Sequence, residues 1–232
     1  MLSQRLTAIA GMVTRGNTLA DIGTDHGYLP IELVSSGVCP RAIAMDINEG
    51  PLERAKEHVA MSGLSECIEL RLSNGLEYLQ IGEAQSVVIA GMGGHLITGI
   101  LEAGHEVAAT MQEIIISPQS DIRLVRESLR QMGFMIVDEE LVAEDGKFYP
   151  IIKIRYSNEL IDELDNQEML DIYGPVLIAK KHSTLKEFLI KEHASKEQIL
   201  RNLERSGSNS SSRRAEIEHL LALNEMAMSA LK

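Results

Sequence analysis

The chain has 232 residues, 44% of them hydrophobic but only 3% aromatic, and a formal net charge of −12 at pH 7. That length suits one α/β domain plus an appendage, with a core of Leu, Ile, Val, Ala and Met. No apolar run approaches the roughly 20 residues that span a bilayer and no signal pattern opens the chain, so the expectation is a cytoplasmic protein without a membrane partner. Two cysteines, Cys39 and Cys67, make neither a metal pattern nor a disulfide framework and read as reduced packing residues.

Helix 2–13 comes first, with Leu2, Leu6, Ile9 and Val13 on one face. Strand-like runs follow at 18–23, 42–47, 68–72, 86–90 and 113–117, spaced as βα units are. Between them the pattern predicts helices over 28–36, with Pro30 in the first turn, and over 48–62, with Asn48 as a capping residue and Gly63 as its stop. Two more are predicted over 95–103 and over 121–132, the latter capped by Asp121 and ended by Gly133. Residues 134–142 and 147–156 read as two strands joined by a turn at Asp145-Gly146. The fold expected is α/β: a doubly wound, mostly parallel seven-stranded sheet closed by an antiparallel pair, in a domain over residues 1–156.

Residues 157–232 form the second predicted domain, helical and coiled-coil-like. A short acidic stretch leads into one long helix over 176–205, whose apolar stripe includes Leu185, Phe188 and Leu189. Glu187–Lys191, Glu192–Lys196 and Glu197–Arg201 are i,i+4 pairs on it. "SGSNSSS" (206–212) reads as a turn into a second helix over 213–231, which makes a C-terminal α-helical hairpin. From 176 onward there are ten basic and seven acidic residues, a net of +3, against −15 for the rest. Such asymmetry suits a polyanion partner for the tail, with Lys180, Lys181, Lys186, Lys191, Lys196, Arg201, Arg205, Arg213 and Arg214 as RNA-binding candidates. It also suits a solvated helical face or a dimerisation hairpin.

Chemistry concentrates at the carboxyl ends of the predicted strands, where α/β sheets bind ligands. The first strand runs into "DIGTDHGYLP", with Asp25 and His26 between Gly23 and Gly27. A dinucleotide fold wants bare glycines there for its pyrophosphate. A carboxylate would repel a pyrophosphate and attract the sulfonium and amino group of S-adenosylmethionine. The alternative is an ordinary Asx-type turn. Asp46, at the end of the second strand, is placed to accept both ribose hydroxyls, and Asn74 after the third to flank the adenine. After the fourth comes "IAGMGGHLI", where three glycines let another molecule approach the backbone closely. No cysteine lies near either loop, which sets aside a covalent-cysteine mechanism.

"DIGTDHGYLP", "IAGMGGHLI" and "GKFYPIIKI" together resemble the bacterial tRNA (adenine-N1)-methyltransferases that modify adenine 22, over the whole chain. The resemblance implies a class I methyltransferase (Rossmann-like) fold, which carries the terminal hairpin that plain dinucleotide-binding folds lack. It implies S-adenosylmethionine as cofactor and tRNA, not DNA, as partner, with no metal. Cofactor residues would be Asp21, Gly23, Asp25, Asp46, Ile47, Asn74 and Gly75. The adenine pocket would form around Asp25, His26, Gly91, Met92, Gly93 and Gly94. Apart from the resemblance, the Asp25 carboxylate is expected on electrostatic grounds to stabilise the charge that develops on the methylated base. The residues themselves leave open another RNA, protein or small-molecule substrate, or a non-catalytic cofactor-binding RNA module. The oligomeric state stays open.

Overall fold

Seven strands form one sheet: β1 (Leu19–Ile22), β2 (Ala42–Asp46), β3 (Ile68–Leu72), β4 (Ser86–Ala90), β5 (Glu113–Ser117), β6 (Phe134–Glu144) and β7 (Lys147–Tyr156). A computed structural model describes residues 2–157, 164–205 and 211–232 of the chain. The strand order is β3-β2-β1-β4-β5-β7-β6. β1 to β5 pair in parallel, and β7 inserts antiparallel between β5 and the edge strand β6. Asp145 and Gly146, at φ 51° and 77°, make the turn between β6 and β7, as the Asp-Gly pair predicts.

Helices α1 (Gln4–Met12), α2 (Tyr28–Ser35), α3 (Glu49–Met61), α4 (Gly94–Ala103) and α6 (Ile122–Gln131) fall where the periodicity places them, and a short α5 (His105–Ala108) was not foreseen. Alternation along the strands sorts the core into two layers. Val87, Ile89, Ile114 and Ile116 face Ile97 and Leu101 of α4 and Val125 and Leu129 of α6. Leu19, Val88 and Ile115 face Ile9 of α1, Leu29 and Leu33 of α2 and Val59 of α3. Two predicted caps differ. Asn48 precedes α3 in extended conformation without capping it; its backbone N–H and Nδ2 donate to Asp46 Oδ1 instead. Asp121 sits at φ 55° and makes no cap bond to α6, accepting from the Ser120 hydroxyl.

Buried polar groups pin the layers. Glu113 Oε1 accepts from Thr14 N at 2.7 Å and Ser86 Oγ at 2.6 Å, and Oε2 accepts from Thr14 Oγ1. Lys153 of β7 completes the carboxylate's shell and also donates to Met12 O, the last residue of α1. Arg126 of α6 pairs with Glu139 of β6 at 2.9 Å, both side chains sealed from solvent.

The chain divides into two compact units, Met1–Ile161 and Asp162–Lys232. The second comprises α7 (Gln167–Tyr173), α8 (Pro175–Ala179), α9 (Ser183–Arg205) and α10 (Ser211–Ala230). The helix expected over 176–205 is therefore two. It breaks at Lys180–His182, where Lys181 takes φ 50°, a conformation that no helix interior accommodates. The acidic lead-in also holds α7, and residues 158–163 and 206–210, most of the predicted "SGSNSSS" turn, lie outside the described residues. Helices α9 and α10 run antiparallel, with Leu189 opposite Asn224 and Glu204 opposite Arg214. Asn224 Nδ2 donates to Leu189 O and Glu192 Oε2, and the Tyr173 hydroxyl donates to the same carboxylate, which Lys196 neutralises. Directional bonds of this kind set one register where leucines alone would tolerate several.

Candidate active site

The sheet order reverses at β1 and β4, and a cleft of about 360 Å³ opens at their carboxyl ends. Asp21, Gly23, Asp25, His26 and Gly91 all line it, five of the candidate residues brought together. The cleft has other walls that the sequence reading missed: Arg5 of α1, Thr24, and Gln119 after β5.

Asp21 sits two residues after Leu19, so its side chain turns to the layer under α1 and α2 and is 8% exposed. It has no ion-pair partner among the described residues. Burial raises its pKa to about 6, with a smaller push from Asp46 and an opposing pull from the neighbouring Thr24 hydroxyl. Thr24 Oγ1 is itself buried and meets full hydrogen-bond geometry with no protein atom. A buried acid with a buried threonine hydroxyl beside it, opening on a cleft, is an arrangement that suits a polar ligand.

Asp25 occupies a different environment. Its side chain is 64% exposed; Arg54 Nη2 donates to Oδ1 at 2.6 Å, and His26 Nε2 stands 3.2 Å from Oδ2. The loop carboxylate with the strongest sequence signal is therefore partly neutralised by an α3 side chain. Of the two, Asp21 is the buried carboxylate and has no ion-pair partner among the described residues. The His26 ring is stacked near-parallel with Tyr28 and His58, at centroid distances of 5.2 and 5.5 Å. His26 Nδ1 is buried with no partner, and His58 Nδ1 meets the His26 carbonyl. Tyr28 lines the cleft and remains 50% exposed.

The second glycine loop divides by role. Gly91 has φ 82° and faces the cleft; a Cβ there would stand 3.7 Å from Arg5 Nη1 and 3.9 Å from Gln119 Nε2. The Met92 side chain reaches back over Gly23 so closely that a Cβ on Gly23 would collide with its methyl group. Gly94 is bare for an internal reason: a Cβ would stand 2.6 Å from Ser120 O. Gly93, the residue before α4, has ordinary extended dihedrals. Gln119 N donates to Met92 O and Gly94 N to Ser120 O, so the loops after β4 and β5 are knit together. Of the three glycines, Gly91 alone is bare toward the ligand cleft.

Asp46, Ile47, Asn74 and Gly75 lie outside this cleft, along the carboxyl edge at the ends of β2 and β3. Asp46 Oδ1 is turned to Asn48, while Ile47 beside it is 59% exposed. Asn74 lines a second cleft of about 350 Å³ with Leu76, Leu96 and Ile100, and Gly75 packs tightly on Ile100. Asp21, Asp46 and Asn74 thus stand at or just beyond the carboxyl ends of three adjacent strands.

Among the RNA candidates, Lys196 is 8% exposed and spent on Glu192, so it is withdrawn from any surface. Lys191, Arg201, Arg213 and Arg214 are paired with Glu187, Glu197, Glu216 and Glu218, respectively. Lys180, Lys181 and Lys186 are exposed around the α8–α9 break.

Residues 2–152 match the family model described as "Methyltransferase domain". A tRNA (adenine(22)-N(1))-methyltransferase of Bacillus subtilis is 40% identical over 151 residues, which are 65% of this chain and 63% of that relative. The solved structure of the B. subtilis M1A22 tRNA methyltransferase TrmK superposes with a TM-score of 0.86 at 30% identity, over 98% of this chain and 99% of that one. M. capricolum TrmK, solved with its natural cofactor product S-adenosyl-homocysteine, superposes with a TM-score of 0.85 at 29% identity over the full length of both chains. With the family model matched over most of its length and these superpositions running end to end, the chain belongs to the tRNA (adenine(22)-N1)-methyltransferase family.

Proposed function

We propose that this protein transfers a methyl group from S-adenosylmethionine to N1 of adenine 22 in tRNA. The observation that carries the reading is Asp21, a buried carboxylate with no cationic partner among the described residues, opening on the cleft at the β1–β4 switch point. A dinucleotide would bring a pyrophosphate against that carboxylate and Asp25; an amino-acid tail brings an ammonium. The residues along the edge fit the rest of the cofactor. Asp46 offers a carboxylate for the ribose hydroxyls, Ile47 an exposed apolar face for adenine, and the backbone at Asn74–Gly75 its polar edge.

The bound cofactor supplies an electrophilic methyl on a sulfonium. Adenine N1 carries a free lone pair, so the N1–CH₃ bond forms as the S–CH₃ bond breaks and no proton need leave first. Positive charge passes to the base. The protein's part is to hold the base in line and to favour that charge, with Asp25 at the cleft mouth, tethered by Arg54 and His26, supplying the anionic field. N1 lies on the pairing edge, so a paired adenine must first leave its stack. The exposed edge of Tyr28, backed by His26 and His58, offers it a surface.

For the tail, Lys181 and Lys186, exposed and without a carboxylate pair among the described residues, are the proposed phosphate contacts, with Lys180 beside them. The decisive experiment is nucleoside mass spectrometry of unmodified tRNA incubated with the protein and S-adenosylmethionine. The expected product is 1-methyladenosine, lost when adenine 22 is replaced by guanine. Methylation that survives that replacement, or none at all, overturns the reading.

A further inference from the structure

Gln119 is a wall of the cleft whose side chain has no task in the fold or in the reaction described above. It stands two residues past the end of β5, after the buried Pro118. Backbone hydrogen bonds fix its place: Gly91 N donates to Ser117 O at 3.2 Å, Gln119 N to Met92 O at 2.9 Å and Gly94 N to Ser120 O at 3.2 Å. The residue is thereby pinned to the second glycine loop, yet it is exposed and its carboxamide has no hydrogen-bond partner among the described residues. A Cβ on Gly91 would stand 3.9 Å from Nε2, so the amide reaches the stretch of backbone that is bare toward the cleft. Of the side chains lining the cleft it is the only carboxamide, a group that offers a donor and an acceptor side by side without charge.

We propose that Gln119 selects adenine and orients it, with Oε1 accepting from the N6 amino group and Nε2 donating to N7. The inference rests on the methyl transfer assigned above and names the residue that reads the base. N1 must stay open because the methyl arrives there, so a residue that recognises the base during the reaction has to use the other edge. That edge of adenine presents a donor beside an acceptor, the complement of a carboxamide. Guanine presents two acceptors there, O6 and N7, and would leave the carboxamide oxygen against one of them. Two bonds in the plane of the ring also fix the direction in which N1 points. The charged side chains of the cleft cannot do this: Asp21 and Asp25, when ionised, only accept, and Arg5 only donates. His26 and Tyr28 are committed to their stack.

Methylation of tRNA carrying adenine or 7-deazaadenine at position 22, by the full-length protein, tests this. The analogue replaces N7 by C–H and keeps both the N6 amino group and the N1 lone pair. The unsubstituted protein is expected to favour adenine by about 10-fold in kcat/KM, the worth of one hydrogen bond whose donor is then left unpaired. Gln119→Ala is expected to lose about 10- to 100-fold on adenine and to treat the two tRNAs within about twofold of each other. Gln119→Glu keeps the length and the acceptor for N6 but sets an oxygen against N7, so its preference should vanish or reverse. Calorimetry should find S-adenosylhomocysteine affinity within about twofold of the unsubstituted protein for both variants. An unsubstituted protein indifferent to N7, a Gln119→Ala protein that keeps the preference, or a loss of S-adenosylhomocysteine affinity as large as the loss of kcat/KM overturns the assignment of Gln119. Absence of any methylation at adenine 22 by the unsubstituted protein overturns instead the function on which it stands.

Discussion

Asp21 and Asp25 are four residues apart and do opposite things with their charge. Asp21 lies inside the layer under α1 and α2, and burial lifts its pKa from 3.8 to about 6. The folded state therefore keeps a proton that the unfolded chain loses, so stability falls as pH rises from about 4 to about 6. Above that window the ionised carboxylate costs about 3 kcal/mol. Asp21→Asn is expected to raise the melting temperature of the ligand-free protein by several degrees at pH 7.5 but little at pH 4, while losing affinity for S-adenosylhomocysteine. Melts at the two pH values check the first part; an unchanged melting temperature at pH 7.5 would mean that Asp21 carries no such penalty. In the unsubstituted protein, cofactor affinity should climb as pH rises through about 6. Asp25 is exposed and shared with Arg54, so its field is weaker. Asp25→Asn should slow turnover by about tenfold, below the 10²–10³ typical of a preorganised buried donor, with cofactor affinity nearly unchanged. Single-turnover rates beside calorimetry separate the two effects.

Among the elements, α1 depends on a carboxylate far from the cleft. Burial works to raise the Glu113 pKa, but Lys153, Ser86 and Thr14 outweigh it and the net shift is downward. Glu113 thus stabilises the fold above the ordinary carboxylate range and loses that contribution as pH falls through its lowered pKa. Because Thr14 and Met12 hang from this cluster, Glu113→Gln is expected to flatten the acid limb of the stability profile and to weaken cofactor binding through α1. Denaturation midpoints from pH 3 to 7 would show it, and an acid limb as steep as before would exclude Glu113. The pair between α6 and β6 behaves differently. Removing Glu139 takes an ion pair from the buried Arg126 and should cost about 3–5 kcal/mol, whereas Arg126→Met with Glu139→Leu should restore most of it. A double-mutant cycle in urea measures the coupling.

At the scale of the whole molecule, the net charge of −12 opposes RNA, and the tail is less basic than its composition suggests. Five of its candidate cations are held by glutamates in helical or cross-helix pairs, and one of these, Lys196, is internal. Phosphate contact at Lys181 and Lys186 would give a modest salt dependence. Lys181→Ala with Lys186→Ala is expected to weaken tRNA binding and to lower the slope of log K against log salt by about one per lysine. A slope unchanged by both substitutions would remove the tail from the RNA surface. Arg205, whose side chain lies outside the described residues, adds nothing to this assignment.

Local patterns were enough to place the seven strands, the hairpin and the two glycine loops. Alternation and helical periodicity are properties of neighbouring residues, and a positive φ at Gly23, Gly91 or Gly146 is demanded where it occurs in the chain. The break at Lys181 was hidden because lysine carries no turn signal; α7 was hidden by its acidic composition. Partnership escaped the sequence altogether. Nothing near Asp25 announces Arg54, 29 residues on; nothing in "QRLTAIAGM" marks Arg5 as a cleft residue; nothing in a run of lysines separates buried Lys196 from exposed Lys186. The sequence by itself determined which chemical groups stand at the strand ends. Only the tertiary structure decided which of them are neutralised and which are left to a ligand, because burial and pairing are set by segments that meet only when the sheet closes.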